Sequence, residues 1–232
     1  YLLSVIVADN IINTYNKLCF YYKGEIYMKV RINNESSYIR ILNATPNSNK
    51  IDISMNDILV FSNVGYKEFT PYTPTLPGDY TVKVYEYGNQ DKLILEQDLV
   101  IAGGNVGTLV ITGIFPNLMM LAVFEDPNES IDNEESKFRI AHLSPTAEPI
   151  DLTVNNVKMI DEIPFGKRTN YAQVPSGIYD FNIEESDMGI YENRNKLRVN
   201  KKIQLKDKKI YTIYVIGDIP NIEIIQSLDV VT

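Results

Sequence analysis

The polarity pattern along this chain has the two-residue period of half-buried strands. Ile51-Asp-Ile-Ser-Met55 and Tyr80-Thr-Val-Lys-Val-Tyr85 alternate apolar and polar side chains, as do Ile150-Asp-Leu-Thr-Val154 and Tyr179-Asp-Phe-Asn-Ile-Glu184. Asn56-Asp57 and Asn155-Asn156 are residues that tolerate left-handed backbone and close tight hairpins. Ile58-Leu-Val-Phe61 and Val157-Lys-Met-Ile160 then resume the sheet. Tyr38 to Leu42 and Phe138 to Leu143 also read as strands, each ending near a proline, Pro46 or Pro145, that cannot donate to a ladder. Leu76-Pro-Gly and Val174-Pro-Ser-Gly predict turns, and Leu93 to Ile101 and Leu197 to Leu205 predict the strands that return. Two segments break the alternation. Val106 to Gly113 and Ile210 to Gly217 are nearly unbroken apolar runs, the pattern of strands buried on both faces. Leu118 to Phe124 and Ile222 to Leu228 close each set. About seven or eight short strands per set, with frequent turns and no amphipathic helix, predict β-sandwiches.

The elements fall into two sets because the sequence itself repeats. Arg40-Ile-Leu-Asn-Ala-Thr-Pro-Asn-Ser-Asn-Lys-Ile-Asp52 returns as Arg139-Ile-Ala-His-Leu-Ser-Pro-Thr-Ala-Glu-Pro-Ile-Asp151. The register holds without a gap through Asn56/Asn155, Tyr72/Tyr171, Gly78/Gly177 and Tyr80/Tyr179. A spacing of about one hundred residues is a domain period rather than a solenoid period. The expected organisation is a first sandwich over 28–125, an exposed acidic linker over 126–136 and a second sandwich over 137–232, arranged in series. The second copy carries a longer polar turn, Glu184 to Lys196, the natural place for a functional loop.

Residues 1–27 stand outside the repeat. Leu2-Leu-Ser-Val-Ile-Val-Ala8 resembles the tail of a clipped secretory signal. Alternatively the segment is untranslated: Lys23-Gly-Glu-Ile-Tyr-Met28 can be encoded with a purine-rich ribosome-binding site just before an ATG, making Met28 the start. The second reading is favoured because it removes the only cysteine, Cys19, and the only signal-like segment together.

The run from Arg139 through Asp151-Leu-Thr-Val-Asn155, with the later Val174-Pro-Ser-Gly-Ile-Tyr179, resembles the bacterial domain-of-unknown-function family 4397. Members of that family tend to read Arg-Val-x-His-x-Ser-Pro-x-Ala-Pro-x-Val-Asp-Val-x-Val-Asn-Gly and later Val-Pro-Ala-Gly-x-Tyr. The first copy departs from this: Asn43 stands for the His, Ala44-Thr45 for the Leu-Ser pair and Lys50 for the second Pro. The resemblance covers Tyr38 to the C-terminus. It implies an all-β fold of two tandem immunoglobulin-like or transthyretin-like sandwiches, of a kind recurring in exported or surface proteins. It implies no reaction and no catalytic residues.

Composition narrows the partners. A net charge of -8 disfavours nucleic acid and anionic membrane surfaces. No apolar run reaches the length of a membrane helix, so no membrane insertion is expected. Abundant Asn, Ile, Lys and Tyr match the codon bias of a low-GC bacterium.

Candidate chemistry is sparse. His142, the only histidine, sits beside Ser144 and near Asp151, but Asn43 occupies the matching position and cannot act as a base. A structural role in the loop before Pro145 is the better reading, since His and Asn both offer a donor and an acceptor. Arg40 and Arg139 recur, as do Asp52 and Asp151. They are expected to satisfy each other or the loop backbone rather than grip a ligand. Asp126, Asn128, Ser130 and Asp132 place oxygens at alternate positions, as calcium loops do, but Ile131 stands where the glycine belongs and Lys137 where the closing Glu belongs. Tyr66, Tyr72, Tyr85, Tyr87, Tyr171, Tyr191, Tyr211 and Tyr214 could stack on sugars or a partner, although Tyr is also a common strand former. Nothing in the sequence calls for a cofactor, a metal or a catalytic set.

The expected function is therefore a non-enzymatic structural or adhesive protein of a bacterial cell envelope or spore surface, with a protein partner or self-assembly. The alternative is a glycan- or protein-binding module using Glu184, Tyr191 and Arg194 of the long turn. A hydrolase using His142 is a remote third.

Overall fold

The computed structural model describes residues 17–22, 25–31, 36–125, 130–186 and 197–229. Residues 1–16 of the expected leader lie outside them. The rest contributes β1 (Lys17–Tyr22) and the start of β2 (Glu25–Arg31), an antiparallel pair that forms its own sheet and holds Met28.

Each repeat supplies eight strands. The first contains β3 (Ser37–Asn43), β4 (Ile51–Met55), β5 (Ile58–Val64), β6 (Thr73–Thr75), β7 (Gly78–Glu86), β8 (Asn89–Ile101), β9 (Val106–Ile114) and β10 (Asn117–Glu125). The second contains β11 (Glu135–His142), β12 (Ile150–Val154), β13 (Val157–Ile163), β14 (Ala172–Pro175), β15 (Gly177–Glu185), β16 (Arg198–Leu205), β17 (Ile210–Asp218) and β18 (Asn221–Leu228). The first half is a sandwich of sheet β5-β4-β7-β8 on sheet β10-β9-β3-β6. The second repeats it as β13-β12-β15-β16 on β14-β11-β17-β18. The fold class read from the sequence is the one observed. Its one parallel pairing per half, β3 with β9 and β11 with β17, carries no periodicity signal.

The hairpins close where the turn residues said they would. Asn56 and Asp57 take φ of 48° and 62°, and Asn155 and Asn156 take 46° and 64°. These are the left-handed pairs that match the twist of a two-residue hairpin. Gly113 and Gly217 end β9 and β17 with φ of 112° and 95°. A Cβ there would run into the carbonyl oxygens of Asn117 and Asn221, so only glycine fits.

Alternation along the strands sorts side chains between two environments. Ile39 and Ile41 of β3 and Leu109 and Ile111 of β9 enter the first sandwich's core with Ile53, Val82 and Val84. Phe138 and Ile140 of β11 and Ile213 and Val215 of β17 do the same in the second, where Phe138 meets Phe181 edge-on. The intervening residues of these strands build a third core. It joins Leu42, Ala44, Val110 and Val123 of the first half to Ala141, Leu143, Tyr214 and Ile216 of the second.

The two inner sheets therefore pack face to face, and the order of layers is outer, inner, inner, outer. This corrects the arrangement in series expected from the sequence. Its physical cause is the pair of unbroken apolar runs. β9 and β17 have core on one face and the other half on the other, and both are buried along nearly their whole length. Within the expected linker Ser130, Asp132, Asn133 and Glu134 are exposed, whereas Glu135 and buried Ser136 already belong to β11.

Sheet edges are managed by side chains. Gln97 of β8 bonds both backbone groups of Met120 on β10, donating through Nε2 to the carbonyl (3.0 Å) and accepting from the N–H (3.1 Å). Lys201 of β16 donates to the carbonyl of Ile224 on β18 at 2.8 Å. One edge of each inner sheet, at β10 and at β18, is thereby partly occupied against a passing strand.

Candidate functional site

The interface between the halves buries a polar cluster that the repeat builds twice. Arg40 lies on the face of β3 that meets the other half, and its side chain is almost wholly buried. Its Nε donates to Thr108 Oγ1 on β9 at 2.8 Å. Its Nη2 crosses to the second half, donating to Ser227 Oγ at 2.8 Å and to the Leu228 carbonyl at 3.4 Å. It pairs with Glu125 at 3.5 Å and lies over the rings of Tyr72 and Phe69, at 4.4 and 4.8 Å.

Arg139 repeats the pattern from β11. Its Nε donates to Thr212 Oγ1 at 2.8 Å, and its Nη1 crosses to the Phe124 carbonyl of the first half at 2.9 Å. It pairs with Asp229 at 3.4 Å and lies 4.6 Å over Tyr171. The tyrosines complete each set: Tyr72 donates to Glu125, and Tyr171 donates to Asp229 at 2.6 Å. Each arginine thus binds the threonine of its own half and the final strand of the other.

Burial opposes charge on both guanidiniums, but the neighbouring acidic groups outweigh it and hold their pKa above the ordinary value. Burial, with the adjacent carboxylates, pushes the phenols of Tyr72 and Tyr171 up. Both guanidiniums stay charged throughout the ordinary pH range. On the rim Lys67 pairs with Glu223 of the other half at 2.8 Å, a half-exposed bridge that contributes little.

The pairing of Arg40 with Asp52, and of Arg139 with Asp151, is not made. Asp52 caps a loop instead, accepting from Ser62 Oγ (2.6 Å), the Asn63 N–H (2.9 Å) and the Gly88 N–H (3.0 Å). Burial works against its charge, and these three donors more than compensate, so its pKa falls. Asp151 accepts from the Glu162 N–H at 3.0 Å and from Ser186 Oγ, and pairs with Lys158. Arginines and aspartates recur for separate reasons: the first join the halves, the second hold loops.

His142 has no solvent exposure. Its Nδ1 accepts a long bond from the Ser144 N–H (3.4 Å), which leaves Nε2 as donor to the Glu148 carbonyl at 3.3 Å. Asn43 does the same work in the first half, accepting from the Thr45 N–H at 3.0 Å and donating to the Val64 carbonyl at 3.1 Å. Both shape the turn that leads to half-buried Pro46 or Pro145. Burial lowers the His142 pKa to about 4. The unfolded chain, with a pKa near 6.5, therefore takes up the proton first as pH falls. This contribution is complete above about pH 6.5 and declines by about 3 kcal/mol as pH drops towards 4. His142→Asn is expected to fold and to lack that decline. Urea midpoints of both proteins across this range check it, and parallel curves would refute it.

Glu184 is half-buried and pairs loosely with Arg198 at 3.5 Å. Tyr191 and Arg194 lie outside the described residues, as do Asp126 and Asn128 of the calcium-like run. Among the described residues no group of three His, Cys, Asp or Glu side chains is placed to hold a metal, and no helix is long and apolar enough to cross a membrane. Of the tyrosines expected to face a ligand, Tyr72, Tyr211 and Tyr214 are buried, while Tyr87 is exposed. Thr108, Thr212, Glu125 and Asp229 were not singled out by the sequence. The long turn of the second copy shifts the register after it, which hides the Thr and acidic pairs from a gapless comparison.

Two clefts open beside the joint. One, of about 740 Å³, is lined by Arg40, Phe69, Lys67, Lys206, Lys209 and Gln226 among others. The other, of about 390 Å³, is lined by Phe124, Glu125, Arg139 and the segment Arg168–Tyr171. No curated protein matches the chain. The family model described as "Domain of unknown function (DUF4397)" matches residues 37–153 and again 136–231. The chain therefore belongs to the DUF4397 family, whose domain it carries twice.

Proposed function

We propose that this chain is a non-enzymatic structural or adhesive protein of a bacterial cell envelope or spore surface, in which two sandwiches act as one stiff block. The observation that carries this reading is the buried joint. The polar residues retained in both copies hold halves together or shape turns, and none forms an accessible reactive set. His142, the one histidine, is buried with both ring nitrogens engaged, which counts against it as a general base. Edge strands remain at β5, β8, β13 and β16 of the outer sheets and at the short β6 and β14 of the inner ones, and offer routes for lateral assembly. β5 carries no charge and exposes Ile58 and Leu59, whereas β13 is guarded by Lys158, Asp161 and Glu162.

Labelling intact cells and spores with a membrane-impermeant amine reagent tests the location. The protein is expected among the labelled surface proteins; labelling only after lysis would overturn the proposal. Size exclusion of the purified chain at rising concentration tests assembly, and a strict monomer throughout would count against it. A ligand-binding reading is supported by the clefts beside the joint.

A further inference from the structure

We propose that the smaller cleft beside the joint binds a phosphate or carboxylate group carried by a ligand of about monosaccharide size. The argument rests on the repeat as its own control. In the first half the segment Phe69-Thr70-Pro71 packs beside Arg40. In the second half the same segment reads Arg168-Thr169-Asn170, beside Arg139. The backbone arrangement is retained: Thr70 Oγ1 accepts from the Ile41 N–H at 2.9 Å, and Thr169 Oγ1 accepts from the Ile140 N–H at 3.1 Å. Only the flanking side chains change, from an apolar pair to a cation and an amide.

That exchange is unfavourable for folding alone. Phe69 offers Arg40 a ring face at 4.8 Å, a favourable cation–π contact. Arg168 offers Arg139 a second positive charge, set against the attraction of Asp229 and the Tyr171 phenol. Among the described residues Arg168 makes no hydrogen bond or ion pair, and Asn170 uses no side-chain amide atom. Tyr214, which packs edge-on against Phe69 at 5.5 Å, has the smaller Val110 as its counterpart on the other inner strand.

The charge balance points the same way. Of the three guanidiniums at the joint, Arg40 pairs with Glu125 and Arg139 with Asp229, which leaves Arg168 without an ion pair of its own on a chain whose net charge is -8. Arg139 is buried with its Nη2 facing Asp229 at 3.4 Å, so it lies beneath the cleft and acts through its field rather than by direct contact. Arg168 is exposed and its planar fork suits an oxoanion; Asn170, also exposed, adds a neutral donor.

Isothermal titration of the full chain with inorganic phosphate, glucose 6-phosphate, galacturonate and glucose tests this. At least one of the three anions is expected to bind, and neutral glucose is expected not to. Binding by phosphate and the sugar phosphate alone assigns a phosphorylated ligand, and binding by galacturonate alone assigns an acidic sugar. Arg168→Phe installs the first half's residue, so it is expected to keep or raise the melting temperature while weakening anion binding about ten- to hundredfold. The proposal is overturned if no anion binds at millimolar concentration, or if Arg168→Phe binds as tightly as the parent. Neither result depends on where the protein is located, so failure here and failure of the surface reading are separable.

Discussion

Arg40→Ala is expected to lower the stability of the whole chain by about 3–5 kcal/mol, the range for breaking a buried ion pair by removing one partner. The side chain makes bonds to Thr108 in its own half and to Ser227 and Leu228 in the other. Truncation deprives buried Glu125 of its guanidinium and leaves Ser227 Oγ without its donor. The loss exceeds what the contacts are worth in isolation, because the remaining carboxylate still has to be held out of water. Arg40→Met combined with Glu125→Leu removes both charges and is expected to recover much of the loss. Urea unfolding followed by tyrosine fluorescence measures this, since the chain has no Trp. A change below about 1 kcal/mol for Arg40→Ala would mean that the joint does not hold the halves together.

Tyr214→Ala is expected to cost a similar amount, about 3–5 kcal/mol, through a cavity instead of a charge. Tyr214 is among the largest fully buried side chains and sits in the core shared between the halves. Neither sandwich can collapse into the gap without parting from its neighbour, because both inner sheets are held from behind by their own cores. Tyr214→Phe is expected to cost about 1 kcal/mol or less, since the hydroxyl reaches Thr108 Oγ1 only at 3.4 Å. Calorimetry separates the two effects. The phenylalanine variant is expected to melt in one transition near the parent, and the alanine variant at a lower temperature. Equal melting of all three would show that the shared core carries no load.

The strands and turns were legible because their causes are local. Alternation at Ile51 to Met55, paired asparagines after it and prolines past β3 and β11 each act over a few residues. The fusion of the halves was half legible. The unbroken runs of β9 and β17 announced burial on both faces, but a sequence cannot say which surface provides the second cover. The roles of Arg40 and Arg139 were hidden for the same reason: their partners Ser227, Leu228 and Phe124 lie at the far ends of other strands. Recurrence marked these arginines as needed in both copies and gave no hint that each reaches into the other. Asp52 was better placed by its neighbourhood, because a carboxylate beside a hairpin has backbone N–H groups within reach whatever the rest of the fold does.

The reciprocity of the joint has a consequence for how the two copies can differ. A surface on which one residue meets its counterpart's surroundings, and is met in the same way in return, is the signature of twofold symmetric association between identical subunits. Tyr38 and Glu125 both lie level with Val106, so the chain enters and leaves the first half at the same end of its inner sheet. Two identical subunits that met through this face could be joined by a short tether without rethreading either one. The two copies thus meet as the subunits of a twofold dimer would, within one chain. Held on one chain, the copies can differ, and the exchange of Phe69 for Arg168 is a change that a symmetric pair of identical subunits would carry on both sides at once.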